Sequence, residues 1–216
     1  MRNFRMTGAA LALTMAIVVG SPAMAADDPA PAAQEEGKAA EASTFVPADF
    51  EVPTLVEAEG FKLVPLGPDL VKIDFDAYMS SIEHLQKTFS RSTSWPHEGI
   101  SDADAMKDME NEQARFQKRS SFAYAVLTPD GLRERGCIYV YPSNVDGYDA
   151  VVRMWVTKAE YEAGFEDELY DFATNWIETE WPFGKVAYPG HSVDWETWDT
   201  LVEAGKAGEA VPEDEG

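Results

Sequence analysis

The sequence predicts an α/β fold with a mixed, mostly antiparallel sheet and helices on both faces. Three observations predict it. Three strand-like runs follow one another at 121–128, 133–141 and 150–157. Apolar stripes at three- and four-residue spacing lie before and after them, and a short strand-like run follows the last long stripe. Aromatic and β-branched residues crowd the three runs, and Pro129-Asp130-Gly131 marks a tight turn between the first two.

Period-two alternation divides these strands into two faces. Cys137, Tyr139 and Tyr141 share one face of the second strand, and Val151, Arg153, Trp155 and Thr157 one face of the third. Ile138, Val140, Val152, Met154 and Val156 make the opposite, aliphatic face, which requires helices over it. The aromatic face has two readings: a pocket lining with hydroxyls and one cation, or a second core face whose polar tips reach water.

The chain begins with the three parts of a secretory signal at 1–25. Arg2 and Arg5 form the basic region, 6–20 the apolar core, and Ala23-Met24-Ala25 the small-x-small cleavage site. An uncleaved anchor is the competing reading, though the apolar run is short for a bilayer span. Arg2 and Arg5 are not adjacent, which argues against a twin-arginine route, and no cysteine follows the leader to carry a lipid. The expectation is export to the periplasm or beyond by the general secretory pathway. An Ala/Pro/Glu-rich linker at 26–44 leads to one domain at 45–202, and an acidic tail at 203–216, expected to be disordered, ends the chain.

Within the domain, 45–54 reads as extended because Pro47 and Pro53 prevent a helix, and 61–66 as a strand ended by Gly67-Pro68. Residues 74–89 read as one helix, with Asp74 as N-cap and Phe75, Tyr78, Met79, Ile82, Leu85 and Phe89 in one stripe. A loop bearing Trp95 follows; its indole either folds onto the core or rims a cleft. The next helix, 101–119, has Ser101 and Asp104 at capping-box spacing, with Met106, Met109 and Phe116 inward. After the three strands, Leu169, Phe172, Ala173, Trp176 and Ile177 define a helix at 166–180 that Pro182 stops. A short strand at 185–188 and a brief helix from Trp195 complete the domain.

Charge is the outlier. Lys and Arg number 17 against 39 Asp and Glu, a net −22. Such a chain repels phosphate backbones and anionic lipid, so neither nucleic acid nor a membrane surface is an expected partner. Cys137 is the only cysteine and reads as a buried, inert thiol. His84, His97 and His191 are scattered without ligand spacing, so no metal site is expected. Ser80 and His84 form an i,i+4 pair without an acidic orienter, which reads as solvated helix surface.

The element order, together with Phe122-Ala123-Tyr124-Ala125-Val126-Leu127, Gly136-Cys137-Ile138-Tyr139-Val140-Tyr141-Pro142-Ser143, Ser81-Ile82-Glu83-His84 and Trp181-Pro182-Phe183, resembles the acyl-CoA N-acyltransferase (GNAT) family, over roughly 61–198. The resemblance implies acyl transfer from a coenzyme A thioester to an amine, with Glu83 or His84 as base and Tyr139 or Tyr141 as acid. It also implies that a glycine-containing loop and helix start hold the coenzyme's diphosphate. The corresponding segment here has one glycine, Gly164, and places Glu160, Glu162, Glu166, Asp167 and Glu168 around the helix start, a pattern that disfavours acetyl-CoA. Two functions are therefore expected of the exported domain. One is N-acyltransferase-like; the other is a non-catalytic module binding a small ligand or peptide on the aromatic face around Tyr139, Tyr141, Arg153 and Trp155, with Trp95, Arg153 and Trp155 as its binding residues.

Overall fold

A computed structural model describes residues 45–209. Six strands form one sheet in the order β1 (Val56–Ala58), β2 (Phe61–Pro65), β3 (Phe122–Leu127), β4 (Glu134–Pro142), β5 (Ala150–Val156) and β6 (Val186–Ala187). Every neighbouring pair is antiparallel except β5 and β6, which run parallel. The sheet is thus mixed and mostly antiparallel, as its residue pattern predicts. β1 is an addition: a two-residue turn with Gly60 at φ 82 folds Val56–Ala58 back onto β2.

Register settles the two faces. Cys137 pairs with Trp155, and Tyr139 with Arg153, so the predicted faces hold. The aliphatic face packs against α5 (Phe165–Glu180) through Phe165, Leu169, Ala173, Trp176 and Ile177. The aromatic face packs against α1 (Val71–Met79), α2 (Ile82–Thr88) and α3 (Asp102–Gln117), with Tyr78, Leu85 and Met109 against Ala123, Ala125, Cys137 and Trp155. Small residues at Ala123 and Ala125 let these helices approach the sheet, and all of β3 is buried as a result. α6 (Trp195–Glu209) closes the sheet end with Trp198 against Val145 and Val151. Among the described residues no helix is long and apolar enough to cross a membrane.

Three local expectations change. Residues 74–89 do not form one helix: a helical turn at Pro68–Leu70 leads into α1, and the chain breaks at Ser80 before α2 begins. Pro68, which ends the strand, also starts the helical course, because its fixed φ suits a first turn. Asp74 is consequently not an N-cap but a buried residue inside α1. The last helix continues to Glu209, past the expected start of the tail. The leader at 1–25, the linker at 26–44 and the chain after 209 lie outside the described residues. The capping box at Ser101 and Asp104 forms as spaced, with both reciprocal hydrogen bonds present.

Between β5 and α5 the chain adds a short helix, α4 (Lys158–Glu162), which the sequence pattern does not reveal. Thr157 caps it by accepting the Glu160 amide.

Candidate functional site

A cleft of about 260 Å³ opens on the aromatic face of the sheet, between α1 and α3. Its floor is Tyr139 and Tyr141 from β4 and Arg153 from β5, and Trp95 stands on its wall. The two tyrosine rings stack, with centroids 5.8 Å apart and planes within 5°. They can do so because residues two apart on a strand project from the same face. Phe89 packs against Tyr139 at 5.6 Å, and the Arg153 guanidinium lies 4.4 Å from the Phe89 centroid and donates to the Phe89 carbonyl. Burial lowers the Arg153 pKa, and the phenols of Tyr141 and Tyr139 act against that shift.

Carboxylates form the opposite wall. Asp74 projects from α1, and Asp108 and Glu112 stand one helical turn apart on α3. Glu112 is ion-paired with Arg115, whereas Asp108 makes no ion pair among the described residues. Burial pushes the Asp108 carboxyl above its ordinary value and raises Asp74 to about 7. Burial likewise raises Tyr78, Tyr139 and Tyr141, so the phenols stay protonated and are poor proton donors at neutral pH.

The structure brings together only part of the residue set that the sequence nominates. Tyr139, Tyr141, Arg153 and Trp95 line one cleft. Trp155 shares their face but lies deeper: it is 1 % exposed, behind Tyr139, and donates its indole N–H to the Tyr139 hydroxyl at 3.3 Å. Both readings of the aromatic face therefore hold at different positions along the strands, with Trp155 and Cys137 as core, Tyr141 and Arg153 as lining, and Tyr139, itself buried, at the boundary between them. Glu83 and His84 are on α2, outside this cleft. Glu83 is exposed, and His84 packs on Tyr161 of α4 with centroids 4.9 Å apart. Burial lowers the His84 pKa.

Asp74, Asp108 and Glu112 are absent from the sequence-derived set. Alternating helix acids look like solvated surface until the packing angle of α3 on the sheet turns them over the cleft. The geometry around Cys137 is also unforeseen. Its thiol donates to the Glu134 carboxylate at 2.9 Å, and burial pushes the thiol pKa well up. Regular alternation would put Glu134 on the face opposite Cys137. A β-bulge intervenes: Val126 pairs with Gly136 and Leu127 with Glu134, leaving Arg135 as an extra residue.

At the junction of β5, α4 and α5, which the family resemblance sets against a coenzyme A diphosphate, amides and cations are already engaged. The Lys158 amide is taken by Ser81 Oγ at 2.9 Å, and the Glu160 amide by Thr157. The Glu160 side chain is itself held by Arg133 and Arg135, each at 2.6 Å, and Lys158 pairs with Glu162. α5 then starts at Gly164 with Glu166, Asp167 and Glu168 in its first turn. Burial raises the Glu166 pKa, with Asp167 adding to the effect. Phosphate oxygens approaching this junction meet occupied amides, spent cations and carboxylates.

No protein-family model matches the chain, and no curated protein matches it. Solved structures with a partly similar backbone are acetyltransferases. A ribosomal-protein-S5-alanine acetyltransferase from Vibrio fischeri is 8 % identical, with a TM-score of 0.45 over 58 % of this chain and 67 % of that one. A Bordetella pertussis protein assigned to the GNAT family is 13 % identical, with a TM-score of 0.44 over 59 % and 73 %. A Salmonella typhimurium acetyltransferase that modifies the N-terminal serine of ribosomal protein L7/L12 is 12 % identical, with a TM-score of 0.41 over 56 % and 66 %.

Proposed function

We propose that the protein is an exported binding module on an N-acyltransferase-like scaffold, and that it takes a small amine in the tyrosine cleft. The observation that carries this reading is the pairing, across one cleft, of an aromatic floor with carboxylates on α1 and α3. A protonated amine offers charge to Asp108 and a cation to the Tyr141 face, with the Arg153 and Arg115 guanidinium groups of the same cleft opposing it. The net charge of −22 favours a cationic ligand, and a volume of about 260 Å³ suits a small molecule rather than a folded partner. The leader-like segment at 1–25 supports encounter outside the cytoplasm, where coenzyme A thioesters are not an expected supply.

A second reading, acyl transfer to that amine, rests on the family resemblance alone. It requires a thioester held elsewhere than at the β5–α4 junction. Calorimetry of the full chain at low salt separates the two. Tyramine is expected to bind saturably, and Asp108→Asn to weaken it about tenfold, while the exposed-acid control Glu196→Gln leaves it unchanged. Acetyl-CoA is expected to give no heat. Saturable acetyl-CoA binding at micromolar concentration would instead support the enzyme, and tyramine affinity unaffected by Asp108→Asn would reject the cleft.

A further inference from the structure

We infer that Asp74, Glu134 and Cys137 form a binding site for one thiophilic divalent cation, of which Zn²⁺ is the fitting example. One ligating atom from each lies within 4.8 Å of the other two. Cys137 Sγ is 2.9 Å from Glu134 Oε1 and 3.8 Å from Asp74 Oδ1. Ligand atoms around tetrahedral zinc, at bond lengths of about 2.0–2.3 Å, stand roughly 3.3–3.8 Å apart. The Sγ–Oδ1 separation lies at the upper end of that range and the Sγ–Oε1 separation below it, so side-chain rotation that opens the latter lets the three atoms supply three of the four tetrahedral positions.

An independent sign points to a ligand. Glu134 Oε2 is buried and has no hydrogen-bond partner, although it belongs to the carboxylate whose other oxygen accepts the Cys137 thiol. Glu134 is 2 % exposed, so water does not serve this oxygen freely, and such an orphan is costly. No basic side chain relieves it. Among the described residues none of the three takes part in an ion pair, and Arg133 and Arg135, which flank Glu134, both turn to Glu160. Three acidic groups thus share one interior point; burial raises all three pKa values, and a hydrogen bond between the Asp74 and Glu134 carboxyls keeps a proton where a cation would otherwise sit.

Backbone geometry, rather than side-chain rotamers alone, brings Glu134 to this grouping. The β4 bulge turns Glu134 toward Cys137, and a Cβ at Gly136 would lie 2.0 Å from the Trp155 carbonyl oxygen, so only glycine lets the bulged strand close on β5. Asp74 arrives from α1 and also lines the tyrosine cleft, while Glu134 lines a separate opening beside Ala77 and Leu132. The donor set selects among metals: a thiolate with two carboxylates suits Zn²⁺ or Co²⁺ and disfavours Mg²⁺ and Ca²⁺. Binding expels the thiol proton and any proton shared by the carboxyl pair into solvent, so affinity rises with pH. A bound cation would also place positive charge at the edge of the tyrosine cleft, next to Asp74.

Co²⁺ titration of the full chain, with the thiol kept reduced, tests the site. Cys137 is the only cysteine, so a sulfur-to-cobalt charge-transfer absorption has no other source. The expected result is a band that saturates at one equivalent, disappears on adding Zn²⁺, and is absent from Cys137→Ser. Glu134→Gln is expected to weaken cobalt affinity at least about tenfold with circular dichroism unchanged. A folded wild-type protein in excess Co²⁺ without a sulfur band overturns the inference, and so does a band that survives in Cys137→Ser. The wild-type arm decides the question even if a variant fails to fold.

Discussion

Ser81 Oγ accepts the Lys158 amide at 2.9 Å, joining the break between α1 and α2 to the first residue of α4. Sequence separates these residues widely, yet their contact occupies a donor that an anion at this junction would need. A serine that interrupts one helix here serves as the outside cap of another.

Ser81→Ala removes that acceptor from a buried position and leaves the amide unpaired. The expected loss is about 1 kcal/mol, which lowers the melting temperature by about 2–4 °C in a domain of this size. Thermal unfolding followed by circular dichroism reads it. Freeing the amide is not expected to create acetyl-CoA binding, because the carboxylates at the start of α5 remain.

Glu160 supplies the pH dependence. Burial pushes its carboxyl up, but hydrogen bonds from Arg135 and Arg133 outweigh that and hold it below the ordinary value of 4.5. A carboxylate whose folded pKa lies below its unfolded one stabilises fully above the unfolded value, and that stability is lost as pH falls through the folded pKa. Glu160→Gln therefore costs about 1–3 kcal/mol at neutral pH, and the gap from wild type narrows as the solution is acidified below pH 4.5. Urea midpoints measured at neutral and acid pH check the narrowing.

Trp155 and Tyr141 share a face and separate core from cleft. Trp155→Ala empties a buried position and is expected to cost about 3–5 kcal/mol, so lost ligand binding would track unfolding. Tyr141→Phe removes one hydroxyl from the half-buried cleft floor and should shift stability by no more than about 0.5 kcal/mol. Comparing tyramine affinity with urea midpoints for both variants distinguishes a lining role from a packing role.

Two glycines differ in why they resist substitution. Gly136→Ala drives a methyl group into the Trp155 carbonyl and should cost about 3 kcal/mol or more. A Cβ at Gly164 meets nothing within 4 Å, but φ is +82, so Gly164→Ala carries only a backbone penalty of about 1–2 kcal/mol. Denaturant unfolding of the two single variants tests the order.

By itself, the sequence determined the three central strands and their two faces. Alternation from Cys137 to Tyr141 and from Val151 to Trp155 is a local property of extended chain, and the capping box at Ser101 needs only residues three apart. Tertiary structure alone decided depth and company. Which aromatic side chains line the cleft depends on where α1 and α3 cross the sheet, so Tyr141 and Trp155 part ways despite sharing a face. Glu134 joins Cys137 because one extra residue in β4 reverses the alternation, and Asp74 joins them because α1 starts earlier than its apolar stripe suggests. Such meetings arise from register and crossing geometry between distant segments, and period and spacing along one segment carry no record of them.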